Sequence, residues 1–184
     1  MTSSLPSTLP SFPLMCLTTA QETTTIEAFR GKNVVIDLWT TKCTRCPAAL
    51  DKLNAMAEDP KYGNVTFASI CCDKLDGARE ILEQDDDLRW QNISHYFMEQ
   101  VDKEEAKKVL GFKSVPFYVF CDESGTMTQT GSTKTINFDD IPGALLPEED
   151  KENMIGNFQP TAVEVKSVPV PFEQRVFEID DLDF

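Results

Sequence analysis

Residues 33–47 read NVVIDLWTTKCTRCP, and how that stretch is read decides how the rest of the chain is placed. Val34, Val35, Ile36 and Leu38 form an apolar run that does not alternate with polar residues, as expected of a strand buried on both faces. Asp37 interrupts it. Beyond Trp39 the chain meets Cys43 and Cys46, three residues apart, and then Pro47, which suits the first turn of a helix because its missing N–H has no partner there. Ala49, Leu50, Leu53, Met56 and Ala57 follow at helical spacing. The stretch therefore predicts a strand, a turn carrying two cysteines, and a helix.

Working outward, LMCLTT (14–19) is a short strand candidate, and an exposed turn leads into a helical segment over 26–29, closed by Gly31. NVTFASICC (64–72) is a second buried strand ending in the vicinal Cys71 and Cys72. DGAREILEQ (76–84) suits a helix. DDDLRWQNISHYFM (85–98) reads as a connection with Leu88, Trp90, Ile93 and Phe97 as apolar anchors. DKEEAKKVLGF (102–112) is a helix with acids first, lysines later and Gly111 as its stop. SVPFYVFCDESGTMTQTG (114–131) reads as a β-hairpin across an Asp-Glu-Ser-Gly turn. The alternation predicts an α/β fold, a mixed central sheet with a parallel centre flanked by helices, over residues 14–133. Residues 1–13 read as a flexible lead-in and 134–184 as an acidic tail containing five prolines and five phenylalanines.

A formal net charge of −14 over 184 residues argues against nucleic acid and against an anionic membrane surface as partners. No run approaches the roughly 20 apolar residues of a membrane helix. The opening MTSSLPSTLPSFP has neither a basic residue nor an apolar core, unlike a secretory leader; it is Ser/Thr-rich like an organelle transit peptide but lacks arginine. The expectation is a cytoplasmic protein. Six cysteines are too sparse for a secreted disulfide framework, so Cys43 and Cys46 point to chemistry: disulfide exchange, or half of a zinc site completed by Cys71, Cys72, Cys121 or His95. No second C-x-x-C exists and the pair sits on a strand-to-helix turn, which favours exchange and no bound metal.

At such a turn the unpaired N–H groups of the helix start, its dipole, and the neighbouring Lys42 and Arg45 all favour thiolate over thiol. A free thiol of pKa about 8.5 can fall to about 7 in such a setting. Cys46, further in, is placed to attack a mixed disulfide on Cys43.

VVIDLWTTKCTRCP, with an acid six residues before the first cysteine and a tryptophan four before it, resembles thioredoxin. SVPF (114–117) resembles the loop that supplies the cis-proline of that fold. The lead-in TIEAFRGKNVVIDLW and the long middle segment with Trp90 are more similar to the tryparedoxin, nucleoredoxin and TlpA-like branch of the thioredoxin-like superfamily. The resemblance covers 14–133 and implies a thioredoxin fold. It implies that Cys43 attacks, Cys46 resolves and Asp37 is a buried acid assisting Cys46. Pro116, with Val115, Trp39, Lys42 and Arg45, would meet the substrate. It also implies that protein disulfides are reduced at the expense of an external reductant, with no organic cofactor. The chain departs from the family in Lys42 and in Thr44-Arg45 between the cysteines. A basic residue there stabilises the reduced pair and makes it more oxidising than thioredoxin.

Cys71 and Cys72 end a strand on the same side of the sheet as the C-x-x-C turn, so the expectation is one core cysteine and one partly exposed, with an extra thiol near Cys43 as the alternative. Cys16 and Cys121 read as core residues, and His95 receives no role. Residues 139–184 hold 12 acids against 3 bases, and Phe177, Ile179, Leu182 and Phe184 are spaced among the last acids as anchors for a protein partner. The expected function is a thiol–disulfide oxidoreductase. The alternative is a thioredoxin-fold non-catalytic or regulatory subunit of a larger assembly, docked through its tail. A peroxide-reducing thiol enzyme would need a peroxidatic cysteine environment that the sequence does not display.

Overall fold

The structure, a computed structural model, describes residues 7–83 and 89–145. Seven strands, β1 (Pro13–Cys16), β2 (Glu22–Thr24), β3 (Asn33–Trp39), β4 (Val65–Cys71), β5 (Ser94–Phe97), β6 (Phe117–Cys121) and β7 (Met127–Ser132), form one sheet in the order β2-β1-β5-β4-β3-β6-β7. β3, β4 and β5 are mutually parallel; β1, β2, β6 and β7 join antiparallel. Four helices cover the sheet: α1 (Thr25–Phe29), α2 (Cys46–Glu58), α3 (Leu75–Leu82) and α4 (Gln100–Leu110). This is the thioredoxin fold.

Strand alternation sorts the core into two layers. Val34, Ile36 and Leu38 pack with Phe29 of α1 and Ala106 and Leu110 of α4. Val35 and Trp39 face the other way, onto Cys46, Leu50 and Leu53 of α2 and Ala78 and Leu82 of α3. Leu50 and Leu53 have no exposed surface, and burying each stabilises the layer by about 1.5–3 kcal/mol relative to leaving it in water. β3 is buried on both faces, as its apolar residues on both sides of Asp37 require. α4 ends where Gly111 turns left-handed at φ 71°, a conformation open to glycine at little cost.

Two strands were not anticipated. β2 is three residues long, and β5 is four residues inside the stretch read as a connection, with buried His95 masking its apolar pattern. The packed body also exceeds 14–133 at both ends. Leu9 and Phe12 are buried, and Thr25 ties this segment down: Phe12 N–H donates to its Oγ1 and its hydroxyl donates to the Pro10 carbonyl. Ile136 and Ile141 join the α2 layer, while Phe138 packs edge-on against Tyr118 and Phe120 under Lys52. Leu88 and the tail from 146 lie outside the described residues.

Candidate active site

β3 and β4 are parallel, so both end on one side of the sheet, where open α/β folds gather function. Residues 40–45 bridge β3 to α2. Asp73, two residues beyond β4, holds this bridge: its carboxylate accepts the Thr41 N–H at 3.0 and 3.1 Å and the Thr41 hydroxyl at 2.7 Å. Partial burial opposes ionisation of Asp73. The hydrogen bonds from Thr41 and neighbouring donors outweigh it and keep the carboxyl below its ordinary pKa. No sequence signal marked Asp73.

Cys43 and Cys46 are joined in a disulfide. Cys43 lies three residues ahead of the helix, in a turn where its N–H donates to Thr40 O at 3.1 Å. Cys46 is the first helical residue, so the helix starts later than a thiol opening it would require. This offset separates the sulfurs by access: Cys43 is half-buried, whereas Cys46 has no exposed surface. The Val115–Pro116 bond is cis. The Val115 carbonyl lies 3.7 Å from Cys43 Sγ, and Arg45 Nη2 donates to the same oxygen at 3.3 Å. The structure thus brings together two distant stretches of the sequence: the turn with Cys43, Arg45 and Cys46, and the Val115–Pro116 loop. Lys42 and Arg45 are exposed beside them.

Asp37 lies within β3 on the α2 side, with Tyr118 and Ser69 as its neighbours across the sheet. It is fully buried, neither carboxyl oxygen has a hydrogen-bond partner, and desolvation pushes its pKa well above the usual carboxylate range. Trp39 is 2% exposed and packs in the α2 layer; burial closes it to the substrate contact expected of it.

Cys71 and Cys72 diverge. Cys71 packs toward α2 and donates from Sγ to Asp73 Oδ1 at 3.1 Å; Cys72 packs in the opposite layer and donates to Ile70 O at 3.3 Å. Both are fully buried. Burial pushes the Cys71 thiol up to about 12 and that of Cys72 further in the same direction. Both are thiols at neutral pH; neither is partly exposed as expected of one of them, because their side chains enter opposite core layers, and this burial argues against an extra nucleophile. Cys121 is buried, whereas Cys16 is only half-buried.

His95 has a structural place. Its Nδ1 lies 2.7 Å from Ser69 Oγ and its Nε2 3.0 Å from the Trp90 carbonyl, and burial lowers its pKa. A neutral ring then donates from Nε2 and accepts from the serine. Among the described residues no three His, Cys, Asp or Glu side chains are placed to hold a metal ion, and no helix is long and apolar enough to cross a membrane. The proposed anchors Phe177, Ile179, Leu182 and Phe184 lie outside the described residues.

Comparison with known proteins agrees with this geometry. A model of the AhpC/TSA family matches residues 7–135. No curated protein matches the chain. Among solved structures, the thioredoxin domain of a thiol-disulfide oxidoreductase from Bacteroides vulgatus superposes with a TM-score of 0.59 at 16% identity, over 70% of this chain and 89% of that one. A thiol:disulfide interchange protein from Bacteroides sp. gives 0.58 at 18% identity, over 89% and 95%. A Chlorobium tepidum protein assigned as the thiol:disulfide interchange protein DsbE gives 0.58 at 17%, over 83% and 95%.

Proposed function

From the premise that the chain belongs to the AhpC/TSA family, with the fold of the thiol–disulfide oxidoreductases, we propose that it reduces protein disulfides through the Cys43–Cys46 dithiol. One observation carries the reading: a half-buried Cys43 Sγ bonded to a fully buried Cys46, beside a carbonyl presented by a cis-proline loop.

In the reduced protein Cys43 thiolate attacks one sulfur of the target disulfide. A Cys43–target bond forms, the target S–S bond breaks, and the other target sulfur leaves as thiolate. Cys46, once deprotonated, attacks Cys43 Sγ, re-forms the internal disulfide and releases the second target thiolate. Two electrons pass from dithiol to target, and the two protons of the dithiol end on the product thiols. Asp37, buried and unpartnered on the α2 side of the sheet, is the group assigned to take the Cys46 proton, and its burial raises its proton affinity. An external dithiol reductant resets the pair. The four further cysteines are free thiols, consistent with a reducing, cytoplasmic setting.

A redox titration with alkylation and mass-spectrometric location of free thiols tests the reading, with Cys46→Ser as control. The expected result is a reversible two-electron couple confined to Cys43 and Cys46, with a midpoint between about −270 and −180 mV. Absence of a reversible couple sinks it. Deleting 148–184 separates the subunit alternative: an enzyme keeps disulfide reduction, whereas a tail-docked subunit loses its complex.

A further inference from the structure

A cleft of about 210 Å³ opens beside the disulfide, lined by Arg45, Ser114, Pro116, Ser132, Thr133 and Lys134. Its lining is polar and cationic: a guanidinium, an ammonium and three hydroxyls around one proline. It touches the thiol chemistry directly, because Arg45 donates to the Val115 carbonyl that faces Cys43 Sγ, and Pro116 forms part of the wall. Three stretches, around residues 45, 114–116 and 132–134, build it. α2 is preceded by Arg45, while Lys134 arrives on the turn after β7, next to β6 and the proline loop.

Arg45 and Lys134 place two positive charges at the mouth of this cleft. Among the described residues, none of Lys42, Arg45 and Lys134 forms an ion pair, although Arg89, Lys107 and Lys108 do. The turn carrying Lys134 is held close by Gly131: a Cβ there would overlap Thr135 Oγ1, and the backbone lies at φ 159°. Ser132 O accepts the N–H groups of Thr135 and Ile136 at 2.9 and 3.1 Å. The cation therefore sits on a folded turn rather than a loose arm. The cleft is smaller than the roughly 300–1,000 Å³ of sites for whole small molecules, and suits a single side chain. A carboxylate meets all of its features: guanidinium forks match its two oxygens, ammonium adds charge, and hydroxyls donate to the remaining lone pairs.

We propose, resting on the function above, that this cleft selects target disulfides with an aspartate or glutamate close to the attacked cysteine in the target protein. The acidic side chain enters between Arg45 and Lys134 while the target sulfur meets Cys43. The two cations at the cleft fix where the acidic side chain of such a target docks.

The test uses the full reduced chain and three peptides that share one disulfide and differ only in the neighbouring residue: Asp, Asn or Lys. The Asp peptide should be reduced with a kcat/KM roughly fivefold to tenfold above the Asn peptide, with the Lys peptide slowest. The preference should shrink in high salt, since the cations are exposed. Lys134→Gln should cut the Asp/Asn ratio, and Lys134→Glu should favour the Lys peptide. Arg45→Gln is read by the same ratio, which cancels any change it makes in the reactivity of Cys43. Equal rates for all three peptides would overturn the proposal and leave disulfide reduction standing. An Asp preference unchanged in both Arg45→Gln and Lys134→Gln would also overturn it. Glutathione disulfide turned over faster than the Asp peptide would overturn the assignment to a protein segment. No reduction of any disulfide would remove the function itself.

Discussion

Cys43–Cys46 and Cys71–Cys72 sit after neighbouring parallel strands, at the same edge of the sheet, and share the residues between them: Asp73 ties the Thr41 backbone to the end of β4. Their chemistry is opposite. The first pair is offset along a turn so that one sulfur is accessible and cations stand beside it. The second is a strand end whose side chains point into two cores, and Cys71 meets the Asp73 carboxylate there. Position at a strand end is therefore not enough to make a cysteine reactive. A turn that lifts one sulfur out of the core, and the sign of the charge it meets there, decide the matter.

The sharpest way to break this comparison is substitution. Cys43→Ser should lower disulfide reduction by on the order of 1,000-fold or more, since no nucleophile remains. Cys71→Ser and Cys72→Ser should keep turnover within about threefold while lowering thermal stability, because each buries a hydroxyl in place of a sulfur. A loss of turnover in Cys71→Ser with the fold intact would make Cys71 part of the chemistry. Alkylation of the reduced protein at pH 7 tests the same contrast on the native chain. A thiol held at about 12 is ionised to only about one part in 100,000 at that pH. Cys43 should label first, and Cys71, Cys72 and Cys121 only after unfolding. Mass spectrometry of the labelled peptides reads the order.

Asp37→Asn probes the buried acid of the first pair. The Asp37 pKa is raised by burial, so folded and unfolded chains are both protonated at low pH and the contribution to stability is complete there. As pH rises through the ordinary aspartate value, about 3.9, the unfolded chain ionises first and stability falls until the folded carboxyl ionises as well. The asparagine variant escapes that loss. At pH 7 it should melt a few degrees above the parent, with the gap closing below about pH 4, while release of the mixed disulfide by Cys46 slows by about tenfold. An unchanged release rate across pH 6–9 would leave Asp37 a purely structural residue.

The sequence displayed the strands that carry the site, because β3 and β4 are predominantly apolar runs that flank the cysteine turn and its helix, and the Val-Pro pair marked its opposite wall. It could not display the cleft. Lys134 and Thr133 are ordinary polar residues until the β6–β7 hairpin returns them to the mouth of the site, and that return depends on register rather than composition. β5 was hidden for a related reason: the Ser69–His95 hydrogen bond satisfies a buried polar residue that, in sequence, looked like part of a loop. The body exceeded its expected limits because Leu9, Phe12, Ile136 and Ile141 are single anchors in polar surroundings, whose burial depends on tertiary neighbours.

The smallest expected effect sharpens the comparison through pH alone. In the oxidised protein Cys43 and Cys46 do not titrate, so any thiol contribution to alkaline stability comes from the four free cysteines, of which Cys71, Cys72 and Cys121 are buried. For Cys71 the folded-state pKa is raised, first by burial, to about 12. The associated stability is fully present below the ordinary thiol value near 9 and declines above it, because the unfolded chain loses the proton that the folded chain keeps. Each such group costs about 1.4 kcal/mol per pH unit between the two values, a few degrees of melting temperature for a domain of this size. Cys71→Ala lowers stability at every pH by an amount set by the missing sulfur, so the offset is not the readout. The slope is: between pH 8.5 and 10.5 the melting temperature of the variant should fall less steeply than that of the parent, measured by calorimetry on the oxidised form. Parallel slopes would mean that Cys71 reaches solvent often enough to ionise, and the two cysteine pairs would then differ in neighbouring charge and not in access.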